Sequence, residues 1–278
     1  MNAVAAASEN GNGRPSGPVL EGRHIGDWEG SRALAGSIIT TEDIDQALAN
    51  SGYIHLAAPA LQRIVGWTGE QWQTFAASWE RLGEDRYMAD GGRYRRRRHA
   101  AFEVRGGDLV RKPDQPHFQS RDYNPLNGDV QRWFDAVETD IAQSAIVASI
   151  FRSLTPLFAT LDRRAPTAPW HSEMHQFRIE TSPEELGRPT PEGLHRDGVD
   201  WVLVILVARQ NVEEGVTEIG GADGRRLGRF TLLDPGDAVL LDDRRIRHGV
   251  TPIRVTANAA AAYRDALVVT WKGTGPIG

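Results

Sequence analysis

The sequence predicts an α+β protein in which helices of the N-terminal half pack on a mainly antiparallel β core. Apolar residues recur at helical spacing in separate segments between residues 41 and 161, with a strand-and-loop stretch at 90–128. Short β-rich runs separated by Gly, Pro and Asp follow residue 168. Since neither a repeat nor a linker separates the halves, we expect one domain over 23–278, helical at 40–165 and β-rich at 170–275. Residues 1–22, rich in Ala, Gly, Asn, Ser and Pro, predict a disordered tail.

Two segments of the N-terminal half carry helical signals. TTEDIDQALAN begins with a threonine N-cap candidate, has acidic residues in its first turn and ends before Ser51-Gly52. GEQWQTFAASWERLG is expected to be the second helix, with YIHLAAP as a short strand between the two. One or two further helices are predicted over 129–161 from apolar residues at helical spacing: Trp133, Phe134, Val137, Ile141, Ile146, Ile150 and Leu154.

The C-terminal half reads as a series of strands. The β-rich runs are MHQFRIE, WVLVILVARQ, GRFTLL, DAVLLD, IRHGVT and DALVVTWK. Their short lengths and the turn residues between them favour an antiparallel sandwich or barrel.

Composition excludes several classes of protein. The 278 residues contain 32 Lys and Arg, 37 Asp and Glu and no cysteine, for a formal net charge of −5. Disulfides and thiolate sites are thereby excluded, so any metal must be held by histidine and carboxylate. Without a basic excess, a secretory leader or an apolar run longer than 201–208, we expect a cytoplasmic protein. No nucleic-acid or membrane partner is expected, and an oligomer remains open.

The segment Pro191–Gly198 contains the pattern His195-x-Asp197, and His248 lies on a separate predicted strand. Side chains at positions i and i+2 of a strand share a face, roughly 6.5–7 Å apart. Two imidazoles and one carboxylate on one side of a metal leave adjacent positions open, as in non-haem Fe(II) oxygenases. Those positions suit a 2-oxo acid and dioxygen. Arg264, sixteen residues after His248, is the candidate cation for the distal carboxylate of that acid.

Several segments together resemble a known enzyme family. EMHQFRIE, PEGLHRDGVD, RRIRHGVTPI and YRDALVVTW, with RYRRRRHAAF and HFQSRDYNPLNG upstream, are similar to the bacterial 2-oxoglutarate/Fe(II) dioxygenases typified by L-isoleucine 4-hydroxylase. The resemblance implies a double-stranded β-helix (jelly roll, cupin-like), iron ligands at His195, Asp197 and His248, and Arg264 as the 2-oxoglutarate anchor. One departure is Glu214-Gly215, where relatives tend to carry Gly-Gly.

The resemblance also implies a reaction. Fe(II), 2-oxoglutarate and dioxygen would hydroxylate an unactivated carbon of a free L-amino acid or close derivative, with release of succinate and carbon dioxide. Because this chain keeps the carboxylate at Asp197, where related halogenases have a small residue, hydroxylation is favoured over halogenation.

Other residues are weaker site candidates. Thr251 could donate its hydroxyl to 2-oxoglutarate or only begin a turn. Gln176 and Arg178 share a strand face, and Arg178 is either an ion-pair member or a carboxylate ligand. Tyr123, and Asn124 beside it, could contact substrate from a covering loop. We expect the remaining histidines to be structural: His24, His55, His99, His117, His171 and His175.

The arginine run at 93–98 invites a nucleic-acid interpretation. On a strand, however, its members would alternate between two faces, which favours a solvated face with one or two inward salt bridges. An inward member could instead hold a substrate carboxylate.

Two other functions compete with the oxygenase. A zinc hydrolase or isomerase could use the same two histidines and aspartate, although that leaves Arg264 without a role. A cupin-like binding protein without turnover is the second alternative.

Overall fold

The computed structural model describes residues 39–126, 128–256, 259 and 261–275. The predicted tail at 1–22 lies outside the described residues. The helices are α1 (Thr41–Ser51), α2 (Ala58–Val65), α3 (Gly69–Ala76) with a 3₁₀ turn (Ala77–Arg81), α4 (Thr139–Ala142) and α5 (Ala145–Leu161). The strands are β1 (Tyr53–Leu56), β2 (Arg95–Arg105), β3 (Asp108–Arg111), β4 (Asp135–Ala136), β5 (Trp170–Glu180), β6 (Trp201–Gln210), β7 (Val212–Glu214), β8 (Thr217–Gly221), β9 (Arg226–Phe230), β10 (Ala238–Asp242), β11 (Ile246–Val250), β12 (Ile253–Val255) and β13 (Tyr263–Gly273).

One large sheet organises the molecule. Its strands run in the order β1-β10-β6-β13-β5-β2-β3, and β4 pairs with β2. Every pair is antiparallel except β2 with β4. A smaller sheet, β11-β8-β9, and the pair β12-β7 complete the β structure. This mainly antiparallel core is of the jelly-roll type, so the predicted fold class is confirmed.

The two faces of the large sheet bury different partners, because successive side chains of a strand point to opposite sides. On β6, Leu203 and Ile205 join the main core with the helices, whereas Val202 joins a second core with Ile219 and Ile246 of the small sheet. On the helix side lie some of the largest fully buried side chains: Trp79, Phe102, Phe158, Trp170, Trp201 and Trp271. The other face, beyond the second core, is free to line a cavity.

The helices begin and end at the residues that local chemistry favours. The Thr40 hydroxyl accepts a hydrogen bond from the Asp43 amide, and the Asp43 carboxylate accepts one from the Thr40 amide, which makes a capping box for α1. Gly52, with φ of 78°, ends the helix in the left-handed conformation. Helix α2 was not among the predicted helices, although Pro59 in its first turn and Gly66 as its cap are typical signals.

The helical prediction over 129–161 is wrong in its first part. Helices occupy only Thr139–Ala142 and Ala145–Leu161. Trp133 precedes them and is 57% exposed, while Phe134 stacks against the guanidinium of Arg97. Trp133 and Phe134 therefore match the helical spacing of the later apolar residues without belonging to a helix.

The stretch Thr139–Leu161 is long and apolar enough to cross a membrane by length and composition alone. In the structure, α5 supplies many core residues, among them Ile150, Leu154 and Phe158, which are fully buried. Packing against the large sheet therefore accounts for its apolar character.

Candidate metal centre

A cavity of about 260 Å³ opens on the face of the large sheet that the helices leave uncovered. Strand register arranges its floor in rows across β13, β5 and β2. One row is Arg264, Ile179 and Arg95. The next rows are Ala266, Phe177 and Arg97, then Val268, His175 and His99. Apart from His99, these residues line the cavity directly.

His195, Asp197 and His248 meet at the wall of this cavity. The Nε2 atom of His195 lies 3.6 Å from Oδ1 of Asp197, and Nε2 of His248 lies 3.5 Å from Oδ2. One ligand atom from each residue falls within 4.8 Å of the other two. His195 and His248 are 53 positions apart in the sequence, so it is the fold that brings the third candidate ligand to the His195-x-Asp197 motif.

The expected strand geometry of His195-x-Asp197 is wrong. His195 forms only an isolated bridge with His248, in which each amide donates to the other's carbonyl, at 3.0 and 2.9 Å. Asp197 lies in a loop beyond that bridge. The two side chains converge because the loop bends toward β11, and not because they share a strand face.

The Asp243 carboxylate holds this loop. It accepts hydrogen bonds from the amides of Asp197, Gly198 and Val199 at 2.9, 2.8 and 3.2 Å. From the opposite side, the Gln119 amide donates to Oδ1 of Asp197 at 3.2 Å. The backbone and the side chain of Asp197 are thus both held in place, as metal ligands usually are by their outer hydrogen-bond partners.

The donor set fits a divalent metal. Nδ1 of His195 lies 3.0 Å from the Gly193 carbonyl, which can only accept, so Nδ1 is the donor and Nε2 is the atom left for a ligand bond. Burial lowers the pKa of His195, but the hydrogen bond and charge of Asp197 outweigh it and raise the pKa to about 9. The two histidines hold the pKa of Asp197 well below its usual value against the effect of burial. A cation at this point would replace that proton, and imidazole with carboxylate suits Fe(II).

Arg264 lies on the cavity floor at the start of β13. It is 3% exposed, and its Nε and Nη2 atoms are buried without a hydrogen-bond partner among the described residues. Burial and the charge of Arg209 lower the pKa of Arg264 to about 10, although the charge of Asp265 acts to raise it. A buried guanidinium with idle donors fits the distal carboxylate of 2-oxoglutarate.

The Glu214-Gly215 departure lies beside Arg264. Both residues have positive φ, 60° and 70°, so a non-glycine residue takes the left-handed conformation at Glu214. Gly215 cannot be replaced by a larger residue without a clash, because a Cβ there would lie 2.8 Å from Ile253 and 3.6 Å from Cδ of Arg264.

Thr251 lies outside this cavity. Its hydroxyl accepts a hydrogen bond from the Val216 amide at 2.9 Å, and the residue lines a separate surface pocket. The structure thus favours the turn role over a contact with 2-oxoglutarate.

Gln176 and Arg178 also face away from the cavity, so their prediction as substrate contacts is contradicted by the geometry. Gln176 donates to the Ser78 hydroxyl at 2.7 Å on the helix side. Arg178 pairs with Asp265 at 2.8 Å and with Glu80 at 2.6 Å. The alternation along β5 was correct, but the face that carries the site was not.

The residues of the covering loop lie nearer the site. The ring of Tyr123 packs on Gly198, whose added Cβ would meet it at 2.7 Å, so Tyr123 supports the loop of Asp197. Asn124 lines the cavity and donates to Oε1 of Gln119 at 3.2 Å.

Sequence reasoning missed the far wall of the cavity. His99, His117, Glu173 and His175 form a second group that meets the spacing of a metal site. The strand alternation of the arginine run did indicate inward members, and Arg95 and Arg97 do line the cavity, whereas Arg96 and Arg98 pair with Glu180 and Glu138 on the other side.

Comparisons with known proteins agree with this geometry. The model of the 2OG-Fe dioxygenase family matches residues 76–270. The chain is 22% identical to the 3(1)-hydroxy-L-isoleucine 4-dioxygenase of Pantoea ananatis, over 60% of this chain and 67% of that protein. It is 24% identical to the L-isoleucine-4-hydroxylase of Bacillus thuringiensis, over 59% and 68%.

Solved structures are similar over more of the chain. The crystal structure of a bsmA homolog from Methylobium petroleophilum has a TM-score of 0.79 and 34% identity, covering 87% of this chain and 98% of that one. IDO from Bacillus thuringiensis has a TM-score of 0.71 and 18% identity, covering 85% and 100%.

Proposed function

Because the chain belongs to the 2OG-Fe dioxygenase family, we propose that it hydroxylates an unactivated C–H bond of a free L-amino acid or a close derivative, releasing succinate and carbon dioxide. The family uses Fe(II), 2-oxoglutarate and dioxygen. His195, Asp197 and His248 would hold the iron, and Arg264 would bind 2-oxoglutarate. The named activities of the two isoleucine-modifying relatives support an amino acid as substrate.

One observation carries the proposal. A buried arginine with unpartnered donors, Arg264, lines the same cavity as the His195, Asp197 and His248 group. The chemistry of a zinc hydrolase does not require such a cation, whereas a dioxygenase needs it for the distal carboxylate of the cosubstrate. The bound iron supplies the oxidising chemistry.

The chain's own residues supply position. Asp243 and Gln119 fix the carboxylate of Asp197, and the Gly193 carbonyl orients the ring of His195. Phe177, Ala266 and Val268 give the cavity floor an apolar surface between the charged groups. Such a surface excludes water and holds one carbon of a small substrate beside the metal ligands, so the site of hydroxylation is set by geometry.

The first test separates 2-oxoglutarate binding from metal binding. In Arg264→Ala, loss of two charge-assisted hydrogen bonds should weaken 2-oxoglutarate binding to the Mn(II)-loaded protein by about 100-fold, or about 3 kcal/mol. Calorimetric titration measures it. Mn(II) affinity should stay the same, as should both affinities in Arg247→Ala, an exposed arginine next to His248. Unchanged 2-oxoglutarate affinity in Arg264→Ala would contradict the assignment.

The substrate is sought by a screen. The twenty amino acids and their N-acyl derivatives are incubated with Fe(II), 2-oxoglutarate and the protein, and succinate release is measured with mass spectrometry of the products. We expect a gain of one oxygen in at least one compound. A product that gains none while succinate is released would count against hydroxylation.

A further inference from the structure

Two more buried arginines face the cavity on the side opposite Arg264. Arg97 is 5% exposed and lies between two aromatic rings, with Cζ at 3.9 Å from the centroid of Phe134 and 4.5 Å from that of Phe177. Its Nη2 donates to Nδ1 of His175 at 2.9 Å. The aromatic rings and the neutral imidazole leave its charge largely uncompensated.

The carboxylate nearest to Arg97 is already engaged. Oδ2 of Asp85 lies 3.9 Å from Nη1 of Arg97 but accepts a hydrogen bond from Nε of Arg95 at 2.7 Å. The Nε atom of Arg97 is buried without a hydrogen-bond partner among the described residues. Burial, with the repulsion of Arg95 and Arg132, holds the pKa of Arg97 well below its ordinary value even though Asp85 acts in the opposite sense.

Arg132, on the covering loop that also carries Tyr123 and Asn124, is a second buried arginine with a donor that lacks a partner in the part of the chain that the structure describes. It is 2% exposed, and its Nη2 donates to the amide oxygen of Gln119 at 3.1 Å. Its Nε atom is buried and unpartnered, and within the described part of the chain no ion pair joins it to a carboxylate. The carboxylates of Asp85, Glu192 and Glu173 attract it only at longer range, and the two glutamates line the same cavity.

Arginines elsewhere in the core show what is missing. Arg178 has two carboxylates, Asp265 and Glu80, at 2.8 and 2.6 Å, and Arg164 lies 3.5 Å from Asp200 and 3.6 Å from Asp162. A buried charge is costly unless it is paired. The pairing of Arg97 and Arg132 is therefore left for a molecule that enters the cavity.

We infer that Arg97 and Arg132 bind the carboxylate of the second substrate, which is accordingly a small molecule with a free carboxylate, such as an amino acid or its N-acyl derivative. The inference rests on the proposed function, in which Arg264 holds 2-oxoglutarate. Arg97 lies two strands and one row away from Arg264 on the cavity floor. Two strand spacings alone are roughly 10 Å, so the two carboxylates occupy separate places.

The size of the cavity agrees with this substrate class. Its volume of about 260 Å³ falls below the roughly 300–1,000 Å³ of pockets for drug-sized ligands. The cosubstrate takes part of that space, which leaves room for a molecule of amino-acid size beside it.

The first experiment varies the substrate. The twenty amino acids, their carboxamides and their N-acetyl derivatives are compared by kcat/KM for succinate release. Every active amino acid should lose about 100-fold or more as its carboxamide, because two charge-assisted hydrogen bonds are lost, whereas N-acetylation leaves the carboxylate in place. A carboxamide that reacts as well as its acid would overturn the inference.

The second experiment varies the protein. Arg132→Gln and Arg97→Gln should each raise KM for the active amino acid by about 10-fold or more and reduce its preference over the carboxamide. Arg96→Gln is the matched control, since Arg96 is adjacent on β2 but pairs with Glu180 on the opposite face. If Arg97→Gln does not fold, Arg132→Gln on the covering loop and the carboxamide series decide. An unchanged acid-to-carboxamide preference in Arg132→Gln contradicts the inference.

The two proposals fail in different ways. If 2-oxoglutarate binds through Arg264 but acids and carboxamides react equally, only the carboxylate site is wrong. If 2-oxoglutarate does not bind to the Mn(II)-loaded wild type, the proposed function itself is wrong. Binding of 2-oxoglutarate must also be unchanged in Arg132→Gln, because a loss there would assign this arginine to the cosubstrate instead.

Discussion

Two clusters of histidine and carboxylate lie at the same cavity, which all of their members except His99 line, and they differ in the hydrogen bonding of their ring nitrogens. The first consists of His195, Asp197 and His248, and the second of His99, His117, Glu173 and His175; in both, the candidate ligand atoms lie within 4.8 Å of one another. By residue type and proximity alone they are equivalent.

Hydrogen bonding separates them. In the first cluster, Nδ1 of His195 is bound to a carbonyl and Nε2 stands 3.6 Å from Asp197, a separation at which a metal ion could lie between them. In the second, Nδ1 of His117 lies 2.7 Å from Glu173, which is a direct hydrogen bond. Arg97 donates to Nδ1 of His175, so the proton of that imidazole is on Nε2, 3.5 Å from Glu173.

The second cluster is therefore a buried carboxylate surrounded by imidazole donors. Burial lowers the pKa of His117 and His175, although Glu173 acts against it, which favours the neutral form of these two imidazoles. Burial acts to raise the pKa of Glu173, but the four imidazoles around it, those of His117, His171, His175 and His99, hold that pKa well below its usual value. Whether a histidine can ligate a metal thus depends on the partner of its other nitrogen.

The largest expected effect tests which cluster binds metal. Wild type should bind one equivalent of Mn(II), and His248→Ala should lose that binding together with succinate release. The loss should exceed the roughly 10–100-fold cost of removing an outer partner of a metal site. His117→Ala, at a buried histidine of the other cluster, should keep one equivalent. Titration calorimetry under anaerobic conditions measures both.

The opposite pattern would reverse the comparison. Two equivalents in the wild type, or one equivalent lost in His117→Ala and kept in His248→Ala, would place a metal in the second cluster. In that case Arg97 would have to release Nδ1 of His175.

A smaller effect is expected at the centre of the second cluster. Glu173→Gln keeps the size of the side chain but turns an NH₂ group toward imidazole donors, and we expect a loss of about 1–3 kcal/mol in the free energy of unfolding. Urea denaturation of the metal-free protein measures this loss. Glu103→Gln, at a half-buried glutamate of β2 that pairs only with Arg105 at the surface, should have almost no effect, and metal binding should be unchanged in both. A stability equal to wild type in Glu173→Gln would show that the network is not structural.

Much of the first cluster could be predicted from the sequence, and little of the second. His195 and Asp197 are two residues apart and His248 stands in a recognisable strand, so their signal is local. His99 and His175 are partners only because β2 and β5 pair in one register, which no local pattern reveals. The cavity-facing arginines are hidden for the same reason.

The choice of face on β5 illustrates the same limit. Alternation correctly separates Gln176 and Arg178 from His175, Phe177 and Ile179. Which set faces the site depends on where the helices pack, because Trp79 and Ser78 of the 3₁₀ turn cover the first set. The charged and polar character of Arg178 and Gln176 indicated a site, but buried ion pairs and hydrogen bonds account for it.

The smallest effect is expected at Thr251, which lies three residues after His248 yet belongs to neither cluster. Thr251→Val keeps the shape of the side chain and removes the acceptor of the Val216 amide, so unfolding should become easier by about 1 kcal/mol. The affinity of the Mn(II)-loaded protein for 2-oxoglutarate should not change, since the hydroxyl lies outside the cavity that Arg264 lines. A tenfold loss of that affinity would instead bring Thr251 into the cosubstrate site, and would mean that the strand end after His248 shifts when the cosubstrate binds.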